Sequence, residues 1–176
     1  IYRDTLLELD DGSYNKANAA YAFGGPEGAV SLINRNLDLN IEKYVTVNFN
    51  ALVDVIDAVG GLDLELTHDE VVHMNNYCVE TSKVTGKSYE KIEPEVEGTY
   101  HLNGVQAVSY SRIRYTAGGD FKRAERQRLV LEKIADKVQN MSVGTVNKII
   151  DSVFLQISTN FTLAEMIGYA KNLTKY

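Results

Sequence analysis

The chain has 176 residues, 44% of them apolar, which suits one domain with a packed core. Its 24 acidic against 18 basic residues give a net charge of -6, which argues against a broad polyanion-binding surface. A single cysteine, Cys78, excludes an internal disulfide framework, and no run approaches the ~18 apolar residues of a membrane-spanning helix.

Ile1-Tyr2-Arg3-Asp4 reads as the end of a strand already in progress, so further sequence is expected upstream. Thr5 to Leu9 reads as a short strand followed by the turn signal Asp10-Asp11-Gly12-Ser13. Lys16 to Phe23 is small and mixed, expected as loop or irregular helix stopped by Gly24-Gly25. Pro26 then stands at a first helical position, with Val30, Ile33 and Leu37 at helical spacing. Tyr44, Val45, Val47 and Phe49 predict a strand, and Asn50 is the expected cap of a helix bearing Leu52, Val53, Ile56 and Val59. Gly60-Gly61 ends that helix, and Leu62, Leu64 and Leu66 alternate as the next strand. The order strand, helix, strand, helix, strand predicts an α/β protein.

Residues 67–97 are polar and charged, and are expected to be an insertion, a lid or surface excursion with at most a short helix at 69–77. Val105, Ala107 and Val108 lie in a short helical or mixed stretch. From Asp120 a long helix is predicted to about Gln139, with Leu131, Ile134, Ala135 and Val138 facing the core. Two amphipathic helices are expected at about 144–154 and 163–173. One domain spanning 1–176 is the resulting organisation.

Five of the seven arginines, Arg112, Arg114, Arg123, Arg126 and Arg128, fall within seventeen residues of this acidic chain. The planar guanidinium fork suits phosphate or carboxylate oxygens. If Ser111 to Tyr115 is extended, Arg112 and Arg114 share one face and Ile113 points the other way. Arg123 and Gln127 lie four apart on one side of the helix that follows. Joined by the Thr116-Ala117-Gly118-Gly119 turn, the two pairs are expected to close around one anion. An ordinary solvated helix face with an Arg128–Glu132 pair competes with this, and accounts for Arg126 and Arg128. Asp4 and Asp120 each adjoin these arginines; each is open to orienting a guanidinium, capping a helix, or accepting a proton.

Other chemistry-bearing residues carry less. His68 and His73 sit five apart, about 140° around a helix, so they do not form a metal-binding pair. Cys78 has no basic neighbour in sequence and is expected to be a neutral thiol. No nucleophile elbow, phosphate-binding Gly-Lys loop or dinucleotide glycine fingerprint is present.

Three segments carry a resemblance. IYRDT at the start resembles the Ile-Pro-Arg-Asp-Thr motif of the LytR-CpsA-Psr cell-envelope proteins, with Tyr2 where the family has proline. KANAAYAFGGPEGAV is similar to their Lys-Ile-Asn-Ala-Ala-Tyr-Ala segment and its Gly-Gly-Pro-Glu. HLNGVQAVSYSRIRYTAGGDFKRAERQRLVL is similar to their Tyr-x-Arg-x-Arg through Gly-Asp-x-x-Arg-x-x-Arg-Gln-Arg signature, and VNFNALVDVIDAVGGLDLEL to a helix and strand between.

The resemblance implies an α/β/α sandwich around a central mixed sheet. It implies a phosphotransferase on the outer face of the bacterial cytoplasmic membrane, moving an anionic glycopolymer from an undecaprenyl-diphosphate carrier to peptidoglycan through a phosphodiester. By the same resemblance Arg3, Arg112, Arg114, Arg123 and Gln127 hold the diphosphate, with Asp4 and Asp120 in the network and Arg128 close by. Leu52, Val55, Ile56 and Val59 become a candidate wall of a prenyl channel, although they read equally as core. Magnesium is implied, its aspartate ligands lying upstream of Ile1, as does the family's membrane-spanning helix. A non-catalytic polyprenyl-phosphate or wall-polymer binding module is one alternative. A nucleic-acid-binding regulator is another, for which neither a helix-turn-helix pattern nor spread positive charge is apparent.

Overall fold

The computed structural model of the protein describes residues 1–142, 144–146, 149, 153, 156–162, 165 and 169. It is a mixed α/β structure, as the element order implied, and it divides into two compact units, 1–46 with 158–176 and 47–157. Among the described residues the strands pair two by two, and no ladder joins them into one central sheet. The helices expected at about 144–154 and 163–173 lie largely outside the described residues.

In the first unit, β1 (Leu6–Glu8) pairs antiparallel with β2 (Tyr14–Lys16), a strand the sequence did not announce. The turn between them closes because the Asp11 carboxylate accepts from the Ser13 amide and hydroxyl, at 2.9 and 2.6 Å. α1 (Ala17–Leu37) begins directly after β2, so the stretch expected as loop is helical. Gly25 breaks its regularity at φ 60°, ψ -152°, and Pro26 restarts the helix from that kink. Leu9, Ala20 and Leu32 form a small buried cluster here. Asn36 fastens α1 to β1, accepting from the Glu8 amide and donating to the Glu8 carbonyl. β3 (Val45–Val47) pairs with β6 (Ile157–Thr159).

The second unit holds the main core. α2 (Phe49–Ala58) is capped by Asn48, whose side chain accepts from the Ala51 amide, rather than by Asn50. β4 (Leu62–Leu66) pairs antiparallel with β5 (Gly98–Leu102), and its three leucines all point inward. α3 (His68–Thr85) is an eighteen-residue helix where an insertion was expected. Its start is set by a capping box in which Thr67 and Glu70 satisfy each other's backbone amides. Val71, Met74 and Cys78 bring α3 into the core, so the segment 68–85 is structural rather than a lid. Its polar composition hid this because the covered face interleaves those residues with the buried polar Glu70, Asn75 and Thr81.

α4 (Gly104–Arg112) is buried along its whole length and packs against α2, α3 and α5. Α close approach at its start requires glycine: a Cβ on Gly104 would fall on the Val53 carbonyl oxygen and lie 2.7 Å from Val53 Cγ1. The Gly104 amide also donates to Asp57 Oδ1 at 2.6 Å. α5 (Gly119–Gln139) turns Arg126 and Val130 into the core, with Ile134 and Val138 packing beside them. Leu131 and Ala135, expected on that side, are exposed. Gly104→Ala is therefore expected to cost about 1–3 kcal/mol through overpacking between α2 and α4. Urea denaturation checks it: the midpoint should fall with the slope unchanged.

Candidate active site

The arginine-bearing segment does not run as an extended strand. Arg112 is the last residue of α4, Ile113 is a buried capping residue, and Arg114 opens the turn to α5. Arg112 and Arg114 are therefore separately engaged rather than paired on one strand face.

Arg112 is held on several sides. Nη1 donates to Thr81 Oγ1 at 2.9 Å and Nη2 to Glu80 Oε2 at 2.8 Å. The Phe49 and Tyr77 rings flank the guanidinium, their centroids 4.8 and 5.4 Å from Cζ. Thr81 is saturated: its hydroxyl donates to the Tyr77 carbonyl and accepts from both Ser109 and Arg112. A cation here also meets the negative end of α4.

Across the turn, one carboxylate gathers two arginines. Asp120 Oδ2 accepts from Arg123 Nη2 at 3.0 Å, and Oδ1 lies 3.6 Å from Arg114 Nε. Asp120 sits in the first turn of α5 but does not cap it; the cap is Gly118 at φ 92°. Arg123 is largely buried, 14% exposed in its side chain, and its Nε is buried with no hydrogen-bond partner. A buried guanidinium N–H without an acceptor is costly, and among the described residues Arg123 Nε is such a donor.

The remaining candidates are placed as follows. Gln127 stands one turn beyond Arg123 on α5 and is exposed, as is Arg128, which forms no ion pair with Glu132. Ile56 and Val59 are packed into the core, whereas Leu52 and Val55 are half-buried at its edge. In the other unit Arg3 Nη2 lies 3.0 Å from Asp4 Oδ2, and Lys16 Nζ lies 3.2 Å from Asp4 Oδ1. Arg3 and then Lys16 hold the Asp4 carboxyl below its ordinary range.

Arg126 was read as a solvated surface charge and is instead buried, bonded to Glu70, Ile113 and Thr116. Sequence reasoning also missed Phe49, Tyr77, Glu80, Thr81 and Glu70. The one available signal was Thr67-x-x-Glu70, whose spacing announces a capping box and hence a helix start in the supposed insertion.

A cavity of ≈ 730 Å³ in the second unit is polar, lined among others by Asp57, Gly61, Tyr89, His101 and Gln106. A second, of ≈ 460 Å³, lies beside Leu62, Lys133 and Lys137, and neither touches Leu52, Val55, Ile56 or Val59. His101 Nδ1 pairs with Asp63 Oδ1 at 2.7 Å, which lowers the Asp63 pKa, and His68 bonds the Glu95 carbonyl. Among the described residues no group of three or more His, Cys, Asp or Glu is placed to hold a metal. The magnesium that the family resemblance implies was expected on aspartates upstream of Ile1, and Asp120 is turned instead to Arg123 and Arg114.

The chain is thus a mixed α/β protein with guanidinium groups clustered about the turn between α4 and α5. The profile of the LytR_cpsA_psr family matches residues 1–176, and the chain belongs to that family. It is 34% identical over 187 residues to biofilm regulatory protein A of Streptococcus mutans, covering 98% of this chain and 44% of that protein. It is 35% identical over 170 residues to the polyisoprenyl-teichoic acid–peptidoglycan teichoic acid transferase TagV of Bacillus subtilis, covering 94% of this chain and 41% of that one. Among solved structures, TagT bound to LIIa-WTA superposes with a TM-score of 0.74 at 27% identity, over 99% of this chain and 61% of that one. The chain spans about half the length of the curated relatives it matches.

Burial pushes the Cys78 thiol up to about 11, against a smaller opposing contribution from Ser109. A thiol neutral below that pH and fully covered is unreactive. At pH 8 a disulfide reagent such as Ellman's should therefore label Cys78 only on unfolding, tracking loss of far-UV signal in denaturant. Labelling at the rate of a free thiol under native conditions would contradict the burial.

Proposed function

We propose that this chain supplies the diphosphate-binding part of a phosphotransferase that moves an anionic glycopolymer from an undecaprenyl-diphosphate carrier to peptidoglycan, at the outer face of the cytoplasmic membrane. The observation that carries this is the gathering of Arg114 and Arg123 on the Asp120 carboxylate at the turn between α4 and α5. The names of the teichoic acid transferases among its relatives, and of the wall teichoic acid-bound TagT structure, support the substrate class. No described helix is long and apolar enough to cross a membrane. The membrane attachment and the magnesium that go with this reading rest on residues other than these.

The chemistry asks mainly for placed charge. An acceptor hydroxyl oxygen attacks the phosphorus that bears the glycopolymer. The P–O bond to the bridging oxygen breaks, and polyprenyl phosphate leaves with that oxygen, while the hydroxyl proton passes to a base. Negative charge shifts onto the phosphoryl oxygens and the leaving group. Guanidinium groups already fixed by the fold meet that charge without reorganising. Arg112 is held by Thr81 and two aromatic rings, and Arg114 and Arg123 are held by Asp120, before any substrate arrives. Asp120, hydrogen-bonded to Arg123 and 3.6 Å from Arg114, orients guanidinium groups in this reading. Gln127 joins the proposed diphosphate-binding set within this unit, with Arg128 alongside on α5. Leu52 and Val55 are the half-buried members of the proposed prenyl wall, whereas Ile56 and Val59 are already packed.

The test is turnover of a synthetic polyprenyl-diphosphate glycan by the protein at its full natural length. Arg112→Ala and Arg123→Ala should each abolish release of polyprenyl phosphate, a loss on the order of 2.7–4 kcal/mol of barrier per donor. Circular dichroism should show the fold intact. Wild-type turnover in both variants overturns the assignment, and tight binding of the donor without any release by the wild type identifies a binding module instead.

A further inference from the structure

We propose that Arg126 and Glu70 are a positioning pair, setting the α4–α5 turn in the arrangement that phosphoryl transfer needs; this rests on the diphosphate-transfer reading above. Arg126 lies between the two arginines assigned to substrate, Arg123 and Arg128, and shares their sequence signature. Its side chain nevertheless points the other way, into the core, and is 2% exposed.

Three nitrogens of that guanidinium reach three places. Nε donates to Glu70 Oε1 at 2.9 Å on α3. Nη1 donates to the Ile113 carbonyl at 3.2 Å, at the end of α4 where backbone acceptors lack helical partners. Nη2 donates to Thr116 Oγ1 at 2.6 Å in the turn. The Tyr110 ring lies beside it, 5.7 Å from Cζ. Ile113 and Thr116 bracket Arg114, so Arg126 fixes the backbone on both sides of the residue that meets Asp120.

Glu70 is itself anchored. Its other oxygen, Oε2, accepts from the Thr67 amide and hydroxyl at 3.1 and 3.2 Å, closing the start of α3. The carboxylate is therefore fixed from one side and fixes Arg126 from the other. Lysine in place of Arg126 keeps a charge for Glu70 but lacks the planar fork needed to reach Ile113 and Thr116 as well. Because its donors are spent on the protein, Arg126 acts through Arg114 and Asp120 rather than on the diphosphate.

The deciding variant is Thr116→Val, which removes the acceptor in the turn and leaves the buried ion pair in place. Arg126→Lys is the second variant. In the full-length protein with the synthetic polyprenyl-diphosphate donor, kcat should fall roughly 10- to 100-fold, the range expected of a small misplacement, with KM within about twofold. Without donor, amide hydrogen exchange at 113–118 should quicken while the middle of α5 stays protected. A purely structural pair would lower activity only in step with the folded fraction, leaving kcat per folded molecule unchanged. Wild-type kcat and exchange in Thr116→Val, beside an inactive Arg123→Ala, overturn the positioning pair alone. Normal turnover in both Arg112→Ala and Arg123→Ala overturns the diphosphate reading and with it this role. Should Arg126→Lys not fold, Thr116→Val decides the matter by itself.

Discussion

The second unit depends on a buried ion pair. Taking Arg126 and Glu70 out of water carries a desolvation penalty of several kcal/mol for each ion, and Coulomb attraction alone does not reliably offset it. What makes the pair tenable is that its other polar atoms are also matched. Three guanidinium nitrogens have acceptors, and both carboxylate oxygens have donors. Helix α3, the end of α4, the turn and α5 meet at this one contact. Losing either member leaves a lone charge in the core, which is far more damaging than losing the pair together.

Around that contact the partly buried arginines are ordered by means that differ. Arg112 uses ring faces and a threonine hydroxyl, whereas Arg114 and Arg123 use a shared carboxylate. Both leave guanidinium groups fixed while their conformational entropy is already lost, which favours binding and charge stabilisation. The Glu80 partner of Arg112 is itself exposed, and an ion pair open to water is worth ~1 kcal/mol or less.

How much of this was readable differs by element. The alternating leucines gave β4 its position and its buried face, because an antiparallel strand half-covered by core leaves that period in the sequence. α5 was found, and of its expected inward face Ile134 and Val138 do pack on the core, whereas Leu131 and Ala135 are exposed. The true stripe runs 126, 130, 134, 138, and a charged residue heads it, so a search for apolar spacing slid to Leu131 and Ala135. α3 was taken for an excursion because its covered face mixes Val71 and Met74 with Glu70, Asn75 and Thr81. In each case a polar residue sits inside because its partner is distant in sequence, and such partners are invisible locally.

The candidate site shows the same divide. Arg112, Arg114, Asp120 and Arg123 were legible as a group, from their clustering and from the family signature. The joining of Arg114 to Arg123 through Asp120 is a property of the folded turn. Arg112 was misplaced on a strand, because a three-residue Arg-Ile-Arg alternation looks the same at a helix end as in an extended segment.

Glu70 divides its two oxygens between the first turn of one helix and the clamp on another, so positions 67, 70, 116 and 126 are linked in one chain of hydrogen bonds. A drift at any one of them is felt by the other three, and an aligned set of relatives should show them substituted in concert or not at all.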